Sequence, residues 1–172
     1  TGAVSFYIRG DDGDASIVSS DRMDLGEWNS LAVVRDYDEN VAVYVNGELS
    51  GRSSDRAGDV SSEGYGTRLI RLGVYGDGDI QDYAGHYDGQ MSDVRIWNIR
   101  RTATEISADH EGTVDSDSSG LRANYLLNDG SGSSASDATG LSSDAILYGP
   151  EWVESCGLIC SIDTESSDAD GD

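Results

Sequence analysis

Residues 28–47 decide the fold: Trp28-Asn29-Ser30-Leu31-Ala32-Val33-Val34-Arg35, a polar cluster Asp36-Tyr37-Asp38-Glu39-Asn40, then Val41-Ala42-Val43-Tyr44-Val45-Asn46-Gly47. Two short runs rich in β-branched residues, each bounded by turn-forming residues, read as strands. The closing Asn46-Gly47 pair reads as a two-residue hairpin turn, because both residue types tolerate the positive φ that a type I′ turn demands. The apolar run through 28–35 suits a sandwich core, with Trp28 expected to fill it rather than serve as a ligand platform, as Trp97 and Trp152 are in their own strand patterns.

Working outward, Val4-Ser5-Phe6-Tyr7-Ile8-Arg9 alternates with period two and stops at the polar turn Gly10-Asp11-Asp12-Gly13-Asp14, and Ile17-Val18 belongs to a second short strand. Residues 51–66 are a Gly/Ser-rich loop before a strand at 67–75, and a second polar loop, 76–88, precedes the strand Asp93-Val94-Arg95-Ile96-Trp97. The period then changes. Thr102-Ala103-Thr104-Glu105 has the capping-box spacing and predicts a short helix to about His110. An acidic connector at 111–120 leads to a strand at 121–127, a Gly/Ser/Asp loop at 128–140, and strands near 145–148 and 151–153. Many short strands at regular turn spacing with one helix specify an antiparallel all-β sandwich or barrel.

Composition sets the surroundings. Of 172 residues, 33 are acidic and 11 basic, for a formal charge of -22, and each basic residue is an arginine. Such self-repulsion is muted only when the Debye length falls to about 3 Å in molar salt, so the chain is expected to work in brine. An apolar fraction of 37%, clustered in strand patterns, argues against disorder. Nucleic acid is excluded as a partner because the arginines are scattered among carboxylates, and membrane insertion because no run approaches ~20 apolar residues. The chain opens at Thr1 with no signal-like stretch and reads as a mature product or a fragment. Cys156 and Cys160 are compatible with a small disulfide loop and equally with two unpaired thiols. One domain over 1–155 and an acidic tail over 156–172 are expected, the tail too polar to bury much.

Three blocks resemble the laminin-G-like jelly rolls of the concanavalin A-like lectin and glucanase superfamily, related to pentraxins, here of haloarchaeal type. The first is the 28–34 run with Val43-Tyr44-Val45-Asn46-Gly47. The second runs from Tyr87-Asp88-Gly89-Gln90-Met91 through Val94-Arg95-Ile96-Trp97 to Thr102-Ala103-Thr104-Glu105-Ile106 and is similar to the closing strand and terminal helix. The third, residues 121–153, resembles the block that usually opens such a domain. Opening therefore follows closing. Either the last strands complete the same sandwich in permuted fashion, the favoured reading, or the chain is cut from a longer repeat array. The resemblance implies a jelly-roll β-sandwich with one short helix after the closing strand.

In such a scaffold, loops at one end of a rigid sandwich carry recognition. Residues 75–86 gather Tyr75, Asp77, Asp79, Asp82, Tyr83 and His86, carboxylates and aromatics suited to holding a cation and stacking on a sugar ring. Asp12 and Asp14 invite a calcium reading, as do Asn128, Asp129 and Asp137, for which the resemblance implies a structural loop. None matches the spaced Asp-x-Asp-x-Asp-Gly calcium loop. Calcium is thus the one cofactor expected.

Catalysis is not expected. Glycoside hydrolysis needs two carboxylates facing one cleft, and no strand here carries them in a Glu-x-Asp-x-x-Glu arrangement. His86 and His110 sit in no nucleophile setting. The expected function is an extracellular recognition or adhesion module for a glycan or a surface protein, on a cell or a virion. The rival is a structural or assembly subunit of a surface layer, filament or virion spike, packing on copies of itself or neighbouring domains; a glycosidase ranks last.

Overall fold

The computed structural model describes residues 2–9, 14–35, 40–53, 72–75 and 84–153. In chain order these form β1 (Gly2–Arg9), β2 (Asp14–Met23), β3 (Leu31–Arg35), β4 (Val41–Val45), β5 (Glu48–Ser53), β6 (Val74–Tyr75), β7 (Ala84–His86), β8 (Val94–Trp97), α1 (Ala103–Asp109), β9 (Leu121–Tyr125), β10 (Ser134–Ala135) and β11 (Ala145–Ile146). Every strand pairing among the described residues is antiparallel: β1 with β2, β3 with β4 and β4 with β5, β6 with β7, β8 with β9, β10 with β11. The protein is an all-β jelly-roll sandwich with one helix among the described residues.

The centre of the fold is β4, buried at all five positions. Its alternation sends Val41, Val43 and Val45 to one face, where they pack with Val4 and Ile17 from the β1–β2 hairpin and with half-buried Phe6, Met23 and Val33. Ala42 and Tyr44 take the other face and meet Ile106 of α1, with Ala32 and Val34 beside them. A strand covered on both faces must be apolar throughout, which is why 41–45 shows no polar position. Each valine so buried contributes roughly 1.5–3 kcal/mol relative to exposure. Hydroxyls join β2 to β5: Ser20 Oγ donates to the Ser50 carbonyl at 2.7 Å, and the Asp21 amide donates to Ser50 Oγ at 2.9 Å.

The β4–β5 turn forms as its residues require, with Asn46 at φ 49° and Gly47 at φ 79° and Val45 paired to Glu48. Gly47 is also demanded by space: a Cβ there would lie 2.8 Å from the His110 ring nitrogen Nδ1 at the end of α1. The helix starts on the expected capping box. Glu105 N donates to Thr102 Oγ1 at 3.3 Å, and Thr102 N donates to Glu105 Oε2 at 2.7 Å. That amide, then the Thr102 hydroxyl, hold the Glu105 carboxyl below its ordinary range. The helix has no basic residue in its last turn. Arg95 from β8 compensates, donating to the Asp109 carbonyl at 3.0 Å and also to that of Gly112.

Several boundaries differ from the sequence reading. The second strand, expected to be short around Ile17-Val18, runs ten residues because it pairs along the length of β1. Trp28 lies before β3, not in it, and is 63% exposed. The strand expected at 151–153 is absent from those residues, and the 128–140 loop contains β10, which finds its partner in β11. Of the strand expected at 67–75, the described part is Val74–Tyr75. The 111–120 connector is tethered at both ends, through the Arg95 contact to Gly112 and through Asn98 N donating to the Gly120 carbonyl at 2.9 Å. Residues 121–125 pair with β8, from Val94 opposite Tyr125 to Trp97 opposite Leu121, so the third block's first strand joins the second block's last. Residues 154–172, with Cys156 and Cys160, lie outside the described residues.

Candidate functional site

Of the 75–86 loop, Asp77, Asp79, Asp82 and Tyr83 lie outside the described residues. Tyr75 and His86 sit on its two arms, where β6 and β7 pair Val74 with His86 and Tyr75 with Ala84. The Tyr87 amide donates to the Gly73 carbonyl at 2.8 Å just below, so both ends of the loop are pinned together. Asp12 also lies outside the described residues. Asp14 opens β2 opposite Arg9.

The other three predicted ligands lie among the described residues, and the carboxylates of two of them accept protein donors. Asn128 is exposed. The Asp129 carboxylate takes the Ser136 hydroxyl at 2.6 Å and the Ser136 amide at 3.2 Å, and the hydroxyl above all holds its carboxyl below the usual range. Asp137 is buried at 9% exposure, with Oδ1 accepting the amides of Asn124 (2.8 Å) and Thr139 (3.1 Å). Its Oδ2 accepts the Thr139 hydroxyl (2.7 Å) and the Ser142 amide (2.9 Å). Four donors use about all the lone-pair directions a carboxylate has, so Asp137 pins the 137–142 turn onto β9. Desolvation is the largest influence on its carboxyl and pushes upward; the Asn124 amide, the Thr139 hydroxyl and the Ser142 and Thr139 amides together outweigh it and bring the pKa to about 2. Among the described residues no group of three or more His, Cys, Asp or Glu side chains is placed to hold a metal.

A feature the sequence reading missed lies in the turn before β3. Leu25 is 82% and Trp28 63% exposed, yet the loop carrying them is tightly held. Asn29 Nδ2 donates to the carbonyls of Asp24 and Glu27, both at 2.9 Å, and Asn29 Oδ1 accepts the Asp24 amide at 3.3 Å. From the hairpin, Asn46 Oδ1 accepts the Ser30 amide at 2.8 Å, while the Asn46 amide donates to the Ser30 carbonyl at 2.9 Å. The indole thus stands in water on a fixed loop, and Asp24 and Glu27, close in sequence, are exposed as well. The signal in the sequence is Gly26, at φ 80°, which breaks the strand pattern between Leu25 and Leu31.

Two adjoining clefts gather arginines. The larger, about 500 Å³, lies between β1, β3 and the β8–α1 connection and is lined by Arg35, Arg95, Arg100 and Arg101 with Phe6, Val33, Ile96 and Trp97 among the apolar walls. The smaller, about 190 Å³, shares Val34, Arg100 and Arg101 and adds Arg52, Asn40 and Tyr44. Arg101 stacks 4.1 Å from the Trp97 ring centroid and pairs with Glu105 at 3.3 Å and with Asp109. Arg95 is paired with Asp93.

Antiparallel β pairs around a strand buried on both faces, with one short helix after β8, define a concanavalin A-like sandwich. The chain belongs to the concanavalin A-like lectin/glucanases superfamily, whose Laminin_G_3 model matches residues 1–107. A solved structure from Bacteroides ovatus ATCC 8483, described as a "putative carbohydrate binding protein", is similar with a TM-score of 0.52 and 27% identity over 73% of this chain and 36% of that one. An S-layer domain-containing protein (residues 221–444) from Clostridium thermocellum ATCC 27405 is similar with a TM-score of 0.44 and 24% identity, over 62% of this chain and 51% of that one. The chain thus spans little more than a third and about half of those two structures. No curated protein matches it. No helix among the described residues is long and apolar enough to cross a membrane.

Proposed function

We propose that this chain is a carbohydrate-binding module that works outside the cell at a surface, in high salt, and binds without catalysis. The observation that carries the reading is Trp28, 63% exposed on a loop locked by Asn29 and Asn46. A side chain that would gain by burial in the core is instead held out toward solvent, and the loop's order is already in place before any sugar arrives. The likeness to the Bacteroides ovatus protein supports the same ligand class. The formal charge of -22 with no lysine supports the saline setting.

Calcium assistance through the acidic loops at Asp12 and Asp14 and at Asp77, Asp79 and Asp82 belongs to this proposal, with Tyr75, Tyr83 and His86 as further sugar contacts. A glycan array in molar salt, run with and without chelator on the native chain and on Trp28→Ala, tests it. Binding to a subset of glycans, weakened roughly tenfold by the substitution, is expected. An array with no bound glycan under either condition overturns the proposal, and binding indifferent to chelator removes calcium from it. The rival, an assembly subunit, requires a defined oligomer in molar salt; light scattering is expected to show a monomer.

A further inference from the structure

Acidic residues outnumber arginines three to one, 33 against 11, so a concave surface taken at random from this molecule should be lined by carboxylates. The larger cleft reverses this. Arg35, Arg95, Arg100 and Arg101 line it, Arg52 joins the last two in the smaller one, and no Asp or Glu lines either among the described residues. Arg95 and Arg101 are held in ion pairs by Asp93, Glu105 and Asp109, none of which lines either cleft. Arg100 is exposed, borders both clefts, and has no hydrogen bond or ion pair among the described residues.

From these observations we infer that the larger cleft takes the carboxylate of an acidic sugar, with Arg100 as the residue that contacts it. The inference rests on the carbohydrate reading above and assigns the sugar class. Three physical points support it. A guanidinium offers paired N–H donors matched to the two oxygens of a carboxylate, and such charge-assisted pairs are the strong ones among hydrogen bonds. The remaining walls, Phe6, Val33, Ile96 and the edge of the Trp97 stack, suit the apolar face of a pyranose ring. The volume, about 500 Å³, lies within the roughly 300–1,000 Å³ typical of small-ligand sites. Long-range repulsion between an anionic sugar and a chain of charge -22 opposes approach in dilute buffer, but molar salt confines it to about 3 Å and weakens the direct contact pair less than it weakens that repulsion.

Calorimetric titration of the whole chain in molar potassium chloride with trigalacturonate and with its methyl ester tests the assignment, since the ester keeps the shape and removes the charge. The acid is expected to bind about tenfold tighter than the ester or more. Arg100→Ala should bring that ratio near one, chiefly by weakening the acid, with the thermal melt unchanged. Equal affinities for acid and ester, or a ratio untouched by the substitution, overturn the inference and leave the carbohydrate reading standing. Uptake of neither form overturns it as well, and the glycan array with Trp28→Ala then decides the broader reading separately.

Discussion

Asn46 Oδ1 accepts the backbone amide of Ser30 at 2.8 Å, so the residue that turns β4 into β5 also holds the loop that presents Trp28. The two jobs are separable. Asn46→Gly keeps the positive φ of 49° at no steric cost and removes only the side-chain bonds. The hairpin is expected to survive, with a stability loss of about 1 kcal/mol in a thermal melt. Glycan binding should fall several-fold as the loop gains freedom. Unchanged binding would separate Trp28 from the proposed site.

The buried Asp137 carboxylate receives four donors, from Asn124, Thr139 (twice) and Ser142. Asp137→Asn turns an amide NH₂ toward at least one of those donors and is expected to cost about 3 kcal/mol at neutral pH. The acid dependence has a definite sign. The folded pKa, about 2, lies below the ordinary 3.8, so the unfolded chain takes up the proton first. The carboxylate's contribution is therefore complete above about pH 3.8 and lost as the pH falls toward about 2. Denaturant melts of both forms across this window should show the gap between them closing with acid. A gap that stays constant to the lowest pH would mean Asp137 does not titrate as the geometry requires.

A charge of -22 on a chain of 172 residues makes ionic strength a stability variable. Dialysis from molar salt to dilute buffer lengthens the Debye distance from about 3 Å toward 10 Å or more and lets the carboxylates act on one another across the surface. The melting temperature is expected to fall steeply on desalting and to recover when salt returns. A cooperative melt at the same temperature in both buffers would refute the saline adaptation while leaving the fold untouched.

Where a residue's neighbours in the chain determine its conformation, the reading from sequence held. The Asn46-Gly47 hairpin and the Thr102–Glu105 capping box are such cases, each specified within four residues. The 41–45 strand was legible because its apolar run had to be covered on both faces. Trp28 was misread because exposure is not a local property. An indole before a strand looks the same in sequence whether the chain turns it in or out, and the difference lies in Asn46, eighteen residues away. Among the acidic positions, composition marked Asp129 and Asp137 as oxygen ligands, yet their lone pairs go to Ser136, Asn124, Thr139 and Ser142.

By itself the sequence determined the antiparallel strand class, the capped helix after Thr102, the acidic surface and the family likeness, because periodicity, turn chemistry and charge are written in consecutive residues. Only the tertiary structure decided that β9 pairs with β8, that Trp28 faces solvent, and that arginines scattered through the chain from 35 to 101 line one cavity free of carboxylates among the described residues. Such arrangements arise from contacts between segments tens of residues apart, and packing alone brings them together.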